Sequence, residues 1–85
     1  MTEDSRLDGN AAAGLLSEVF TPEATAAEAR CASCGRTGAV GDAEAYADAP
    51  GLVLRCRGCE EVLMRFARIR GRLVADLRGV GTLRF

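Results

Sequence analysis

The sequence predicts a small α+β domain: an antiparallel β-sheet carrying two cysteine turns, preceded by an N-terminal amphipathic helix. Three observations lead there. The chain has 85 residues, which is room for one small domain. Apolar residues recur at helical spacing near the start, and from residue 31 onward they fall into short segments punctuated by glycine. The four cysteines stand as two C-x-x-C pairs, the arrangement of a zinc ribbon or rubredoxin-like sheet with two zinc knuckles.

Residues 1–8 are polar and are expected to be loose. A helix is predicted over residues 9–20, with Asp8 or Asn10 as its N-cap. Leu7, Ala11, Leu15, Leu16, Val19 and Phe20 recur at steps near four and form one apolar stripe. Pro22 ends this helix, because its ring cannot continue the hydrogen-bond ladder. Residues 21–30 read as a linker holding at most a helical turn. The chain thus divides into a helix and linker over 1–30 and a zinc ribbon over 31–85, together one folded unit.

Beyond Cys31, strands are predicted at Thr37–Val40, Glu44–Ala47, Leu52–Arg55, Val62–Ile69 and Arg72–Leu77. Pro50-Gly51 suits the centre of a type II turn, and Gly71 marks a hairpin between the two last strands. Val62, Met64 and Phe66 share one face of their strand, as do Leu73, Ala75 and Leu77 of the next. Residues 79–85 form a mostly apolar tail.

The cysteines carry the chemistry. Cys31-Ala-Ser-Cys34 and Cys56-Arg-Gly-Cys59 are separated by twenty-one residues. Each pair can turn both sulfurs onto one metal, and two pairs complete a tetrahedral thiolate set. Gly35 and Gly58 supply backbone freedom for the turns. Arg36, Arg55 and Arg57 stand where they would offset the negative charge of four thiolates. The expected cofactor is one Zn2+ per chain, held by Cys31, Cys34, Cys56 and Cys59; iron in a rubredoxin-like centre is the rival metal.

Net charge is −1, but it is unevenly spread. Residues 1–54 hold three arginines and nine acids; residues 55–85 hold eight arginines and three acids. Such asymmetry can mark a nucleic-acid face, though charged faces are more often simply solvated. The start of the chain is acidic, and Ala11–Leu16 is too short to serve as a signal peptide or membrane span. A reducing cytoplasm, where disulfides rarely persist, is the expected location. Histidine is absent, and no nucleophile elbow, phosphate loop or dinucleotide fingerprint is present. Glu60 and Glu61 read as a solvated pair rather than an acid–base couple. The chain is therefore not expected to be an enzyme or to take a small-molecule substrate.

The run from Leu7 to Phe20, Leu-Asp-Gly-Asn-Ala-Ala-Ala-Gly-Leu-Leu-Ser-Glu-Val-Phe, resembles the opening of a family of small bacterial proteins with no established activity. Cys31-Ala-Ser-Cys34-Gly35 and the run from Pro50 to Cys56 carry the same likeness, which covers nearly the whole chain. That family has two C-x-x-C pairs, and Cys31, Cys34, Cys56 and Cys59 match them. The resemblance implies the metal site and no specific activity. Two kinds of partner are expected: a protein, or a second copy, through the N-terminal helix; and nucleic acid through Arg65, Arg68, Arg70, Arg72 and Arg78 around the hairpin turn.

Overall fold

The computed structural model describes residues 6–8, 13–21, 23–48 and 51–85. Eight strands and one short helix follow in the order β1 (Arg6–Asp8), α1 (Ala13–Val19), β2 (Glu28–Cys31), β3 (Thr37–Ala39), β4 (Glu44–Asp48), β5 (Gly51–Arg55), β6 (Val62–Ile69), β7 (Arg72–Asp76) and β8 (Val80–Arg84). Single 3-10 turns at Ala24–Ala26 and Val40–Asp42 link them. The strands make two antiparallel sheets rather than the one predicted: five strands in the order β1-β4-β5-β6-β7, and three in the order β3-β2-β8. Asn10, Pro22 and Pro50, read above as a cap, a helix stop and a turn position, lie outside the described residues.

Each sheet owes its inner face to alternation. Met64 and Phe66 of β6 and Leu52 and Leu54 of β5 are buried and cross-paired, Leu52 with Phe66 and Leu54 with Met64. Ala29 of β2 and Ala45 of β4 join them, and Leu16 of α1 seals the cluster. Large side chains on the five-stranded sheet thus share the core with the small Ala29 of the three-stranded sheet. Leu15, Val19 and Phe20 pack on the same cluster, so the apolar stripe of α1 lies against the chain's own core.

Three segments differ from expectation. Leu7 belongs to β1 and pairs with Ala45, although its spacing had placed it on the helical stripe. Arg6–Asp8 is a strand rather than a loose end. Glu28–Cys31 and Val80–Arg84, read as linker and tail, are strands that pair with each other. Glu28–Cys31 alternates exposed and buried, but each of these runs is short and of weak strand propensity, so the strand state comes from a partner rather than from local pattern.

Two turns have clear backbone causes. At the β6–β7 hairpin Ile69 faces Arg72, and the two residues between, Arg70 and Gly71, both have positive φ (55° and 78°), as in a type I′ turn. Gly51 is not a turn centre. It opens β5, paired with Asp48 on one side and Ala67 on the other. A Cβ there would stand 1.7 Å from the carbonyl oxygen of Phe66, so only glycine allows β5 to approach β6. Gly51→Ala is expected to destabilise the protein by about 1–3 kcal/mol, the usual range for overpacking. Urea denaturation measures this, and an unchanged midpoint would contradict the close approach.

Candidate metal centre

Both C-x-x-C pairs occupy the turn of a hairpin, one in each sheet. Cys31 ends β2, and its turn leads to β3; Cys56 follows β5, and its turn leads to β6. The pairing beside each first cysteine is irregular. Arg30 pairs with Thr82 but Cys31 with Val80, and Leu54 pairs with Met64 but Arg55 with Val62, so the extra residue lies in the neighbouring strand, Gly81 of β8 and Leu63 of β6. Such bulges bend a strand and increase its twist. Cys31 and Cys56 lie next to them, and both are buried.

The two turns then repeat the same hydrogen bonds. Gly35 N–H donates to the Cys31 carbonyl at 2.9 Å, and Cys31 N–H donates to the Arg36 carbonyl at 2.8 Å. In the second turn Glu60 N–H donates to the Cys56 carbonyl and Cys56 N–H to the Glu61 carbonyl, both at 2.8 Å. The residue after each second cysteine lies in the left-handed region, with φ of 79° at Gly35 and 66° at Glu60. Gly58, expected to provide this freedom, is not among the positive-φ residues; Glu60 holds the position equivalent to Gly35. The sign could have been read from offset alone, since both stand one residue past a C-x-x-C.

The outcome is four sulfurs in one place. The ligand atoms of Cys31, Cys34, Cys56 and Cys59 all lie within 4.8 Å of one another. Across the two turns, Cys31 Sγ is 3.6 Å from Cys59 Sγ, and Cys34 Sγ is 3.7 Å from Cys56 Sγ. A tetrahedral ion with metal–sulfur bonds of about 2.3 Å sets its sulfurs roughly 3.8 Å apart. A disulfide needs about 2.05 Å. The spacing fits a shared ion, and the four cysteines can hold one.

Charge at the centre is uneven in a way that favours a cation. The backbone amide of Cys34, aided by that of Ser33, brings Cys31 down to about 7 against the opposing effect of burial. Burial works to raise Cys56, but the amides of Cys59 and Gly58 outweigh it and lower the thiol; Gly58 N–H lies 3.3 Å from its sulfur. The amide of Glu61 pulls Cys59 down, yet burial and the three neighbouring sulfurs together push it up to about 12. Four negative sulfurs cannot crowd together unaided, and a bound divalent ion removes that conflict.

Surrounding residues lock the turns. Ala32 N–H donates to the Gly79 carbonyl at 2.9 Å, and Gly79 N–H to the Leu63 carbonyl at 3.2 Å. The chain just before β8 therefore ties the first turn to the five-stranded sheet. The Arg36 side chain passes the second turn, its Cδ 2.8 Å from where a Cβ on Gly58 would stand. Arg55 donates to the Glu60 carbonyl at 2.9 Å and so braces the left-handed residue. Arg57 reaches the Asp42 carbonyl at 2.7 Å and lies 3.9 Å from Glu44. Arg30, whose position gave no signal in the sequence, lies nearest Gly35, 3.5 Å from a would-be Cβ.

The five hairpin arginines are partly engaged. Arg68 pairs with Glu18 of α1. Arg78 grips Asp76 through Nε and Nη2, the latter at 2.6 Å, and this fork holds Asp76 down at about 2. Arg65 also bears on Asp76 through its charge. Arg70 and Arg72 are exposed at the tip.

Comparison with known families decides where the chain belongs. The model of the family described as "Family of unknown function (DUF6510)" matches residues 2–85. The chain belongs to this family. No curated protein and no solved structure matches it. Membership covers both cysteine turns and all eight strands, so the paired-turn geometry lies wholly inside the matched region. Among the described residues no helix is long and apolar enough to cross a membrane.

The equivalence of Gly35 and Glu60 has opposite consequences for substitution. A non-glycine residue in the left-handed region costs about 1–2 kcal/mol. Gly35→Ala is expected to weaken metal binding roughly tenfold, because about 1.4 kcal/mol is a factor of ten. Glu60→Gly relieves strain and is expected to bind at least as tightly as the parent. Competition against a chromophoric chelator measures both; a loss on Glu60→Gly would show that its side chain matters more than its backbone.

Proposed function

We propose that the chain is a non-catalytic zinc-binding module, with one structural Zn2+ held by Cys31, Cys34, Cys56 and Cys59, that works by contacting a protein partner. The observation that carries this reading is the sulfur cluster built from two matching turns, with cross-turn separations of 3.6 and 3.7 Å. Zinc is the common occupant of four-thiolate sites, and such sites leave no position for water or substrate. Histidine, the usual catalytic zinc ligand and general base, is absent from the sequence. Binding of structural zinc is worth about 10–16 kcal/mol in small modules, comparable to the whole stability of a domain. The ion's task is then to hold two small sheets together.

A second reading, nucleic-acid binding through the β6–β7 hairpin, draws on exposed Arg70 and Arg72 at the turn. Its weakness is that Arg68 and Arg78 already face carboxylates. Rubredoxin-like electron transfer is the third, and it stands or falls with iron.

Metal analysis by mass spectrometry on untagged protein, with thiols counted before and after chelation, separates these readings. The expected result is one zinc per chain, thiols that react only after chelation, and loss of the cooperative thermal transition once metal is removed. Acidification should release the ion, because thiolates must be protonated as it leaves. Iron with a visible thiolate band would replace the zinc reading with electron transfer. Metal-free protein with freely reactive thiols would overturn both.

A further inference from the structure

The four cysteines are not equally placed. Cys34 is exposed, Cys31 and Cys56 are buried, and Cys59 lies between. A surface hollow of about 540 Å3 opens beside Cys34, lined also by Arg30, Ser33, Gly35 and Thr82. The Arg30 guanidinium stands at its rim. Its Nη2 lies 3.5 Å from where a Cβ would stand on Gly35, the residue after Cys34. A small oxidant arriving from water therefore meets Cys34 first, next to a positive charge.

Behind Cys34 lies a buried sulfur of the other turn. Cys56 Sγ is 3.7 Å from Cys34 Sγ, and Cys31 and Cys59 repeat this cross-turn approach at 3.6 Å. A disulfide has its sulfurs about 2.05 Å apart, so Cys34 and Cys56 need close by only about 1.7 Å. Metal ligation holds a cysteine as thiolate, the form that is oxidised. An accessible thiolate with a resolving cysteine beside it is the arrangement of a redox-sensitive thiol.

We propose that Cys34 is a site of oxidation by hydroperoxides and that Cys56 resolves it, so that the oxidised chain exchanges its metal for a Cys34–Cys56 disulfide across the two turns. It rests on the reading of the four cysteines as a zinc site and adds the way that site is opened. The Cys34 thiolate attacks one oxygen of hydrogen peroxide. An S–O bond forms, the O–O bond breaks, and hydroxide leaves beside Arg30. The Cys56 thiolate then attacks the Cys34 sulfur. The S–S bond forms, the S–O bond breaks, and a second hydroxide leaves. The two sulfurs have given two electrons to the peroxide, and two protons from solvent turn both hydroxides to water. Cys31 and Cys59, too few to hold the ion, take up two more protons as it departs. Coordination slows a thiolate, so this is a response to sustained peroxide rather than to a brief thiol count. The new bond joins the turn of one sheet to the turn of the other, and the sheets stay linked without metal. A bond inside either turn would leave them unlinked.

Hydrogen peroxide added to the zinc-loaded full chain tests this, with metal release followed by a chromophoric zinc indicator and the first disulfide mapped after digestion without reductant. Cleavage after arginine separates the candidates: Cys31 and Cys34 share the peptide Cys31–Arg36, Cys56 falls in Cys56–Arg57 and Cys59 in Gly58–Arg65. The expected result is loss of the bound zinc together with Cys31–Arg36 joined to Cys56–Arg57, fragmentation placing the link on Cys34. Dimedone, which traps sulfenic acids, is expected to give an adduct on Cys34 in place of the disulfide. These readouts use the unaltered chain, since replacing any of the four cysteines would remove a ligand. A first disulfide within one turn, a first dimedone adduct on another cysteine, or zinc and all four thiols retained in excess peroxide overturns the proposal. Each of those outcomes leaves the zinc site standing. A chain purified without zinc refutes that reading, and the proposal with it, before any peroxide is added.

Discussion

Four sulfur atoms that come within 4.8 Å of one another impose a constraint on everything around them. Thiolates at that distance repel, and protonated thiols gain little from meeting. The cluster is built from two turns that belong to different sheets, so the electrostatics of the sulfurs and the docking of the sheets are one problem. A divalent ion solves both by neutralising charge and by linking the turns. Cys31 and Cys56 sit in the hydrophobic core, Cys34 is exposed, and Cys59 lies between. The site thus joins interior to surface, where a bound ion would add cohesion that a small apolar core lacks.

The backbone around the sulfurs serves that constraint. Both turns have a bulge in the neighbouring strand beside the first cysteine, two amide bonds that close the loop, and a left-handed residue after the second cysteine. This repetition gives the two halves of the site nearly the same shape from different sequences. The turns differ in what braces them. The first is held by the Gly79 carbonyl, whose own amide bonds to Leu63 of the five-stranded sheet. A Cβ on Gly79 would meet the Val62 carbonyl oxygen at 1.8 Å, so that bridge needs glycine as well. The second is held by arginines, Arg55 on the Glu60 carbonyl and Arg57 on the Asp42 carbonyl.

What was legible in the sequence follows from how local each signal is. The C-x-x-C spacing is a local pattern, and it identified the four residues that cluster. β6 was readable to its ends because a run in which six of eight residues are apolar leaves few alternatives, and Gly71 located its hairpin. Glu28–Cys31 and Val80–Arg84 were not readable. Glu-Ala-Arg-Cys has no strand bias, and Val-Gly-Thr-Leu-Arg is weakened by its glycine. Each becomes a strand because the other is beside it. Leu7 misled for a related reason: its spacing from Ala11 and Leu15 suits a helix, but pairing with β4 overrides spacing over three residues.

The uneven charge of the chain also looks different in three dimensions. Along the sequence, acids crowd the first half and arginines the second, which invites a search for an anionic partner. In the fold, Glu18 meets Arg68, Glu28 meets Arg84 and Glu44 meets Arg57. Each pair joins an acid from the first part to an arginine from the last. Exposed pairs of this kind are worth little individually, on the order of 0–1 kcal/mol. Their effect is on specificity rather than stability: they favour the antiparallel docking in which N-terminal elements lie on C-terminal strands, and they disfavour arrangements that would bring like charges together. The asymmetry is thus partly taken up inside the molecule.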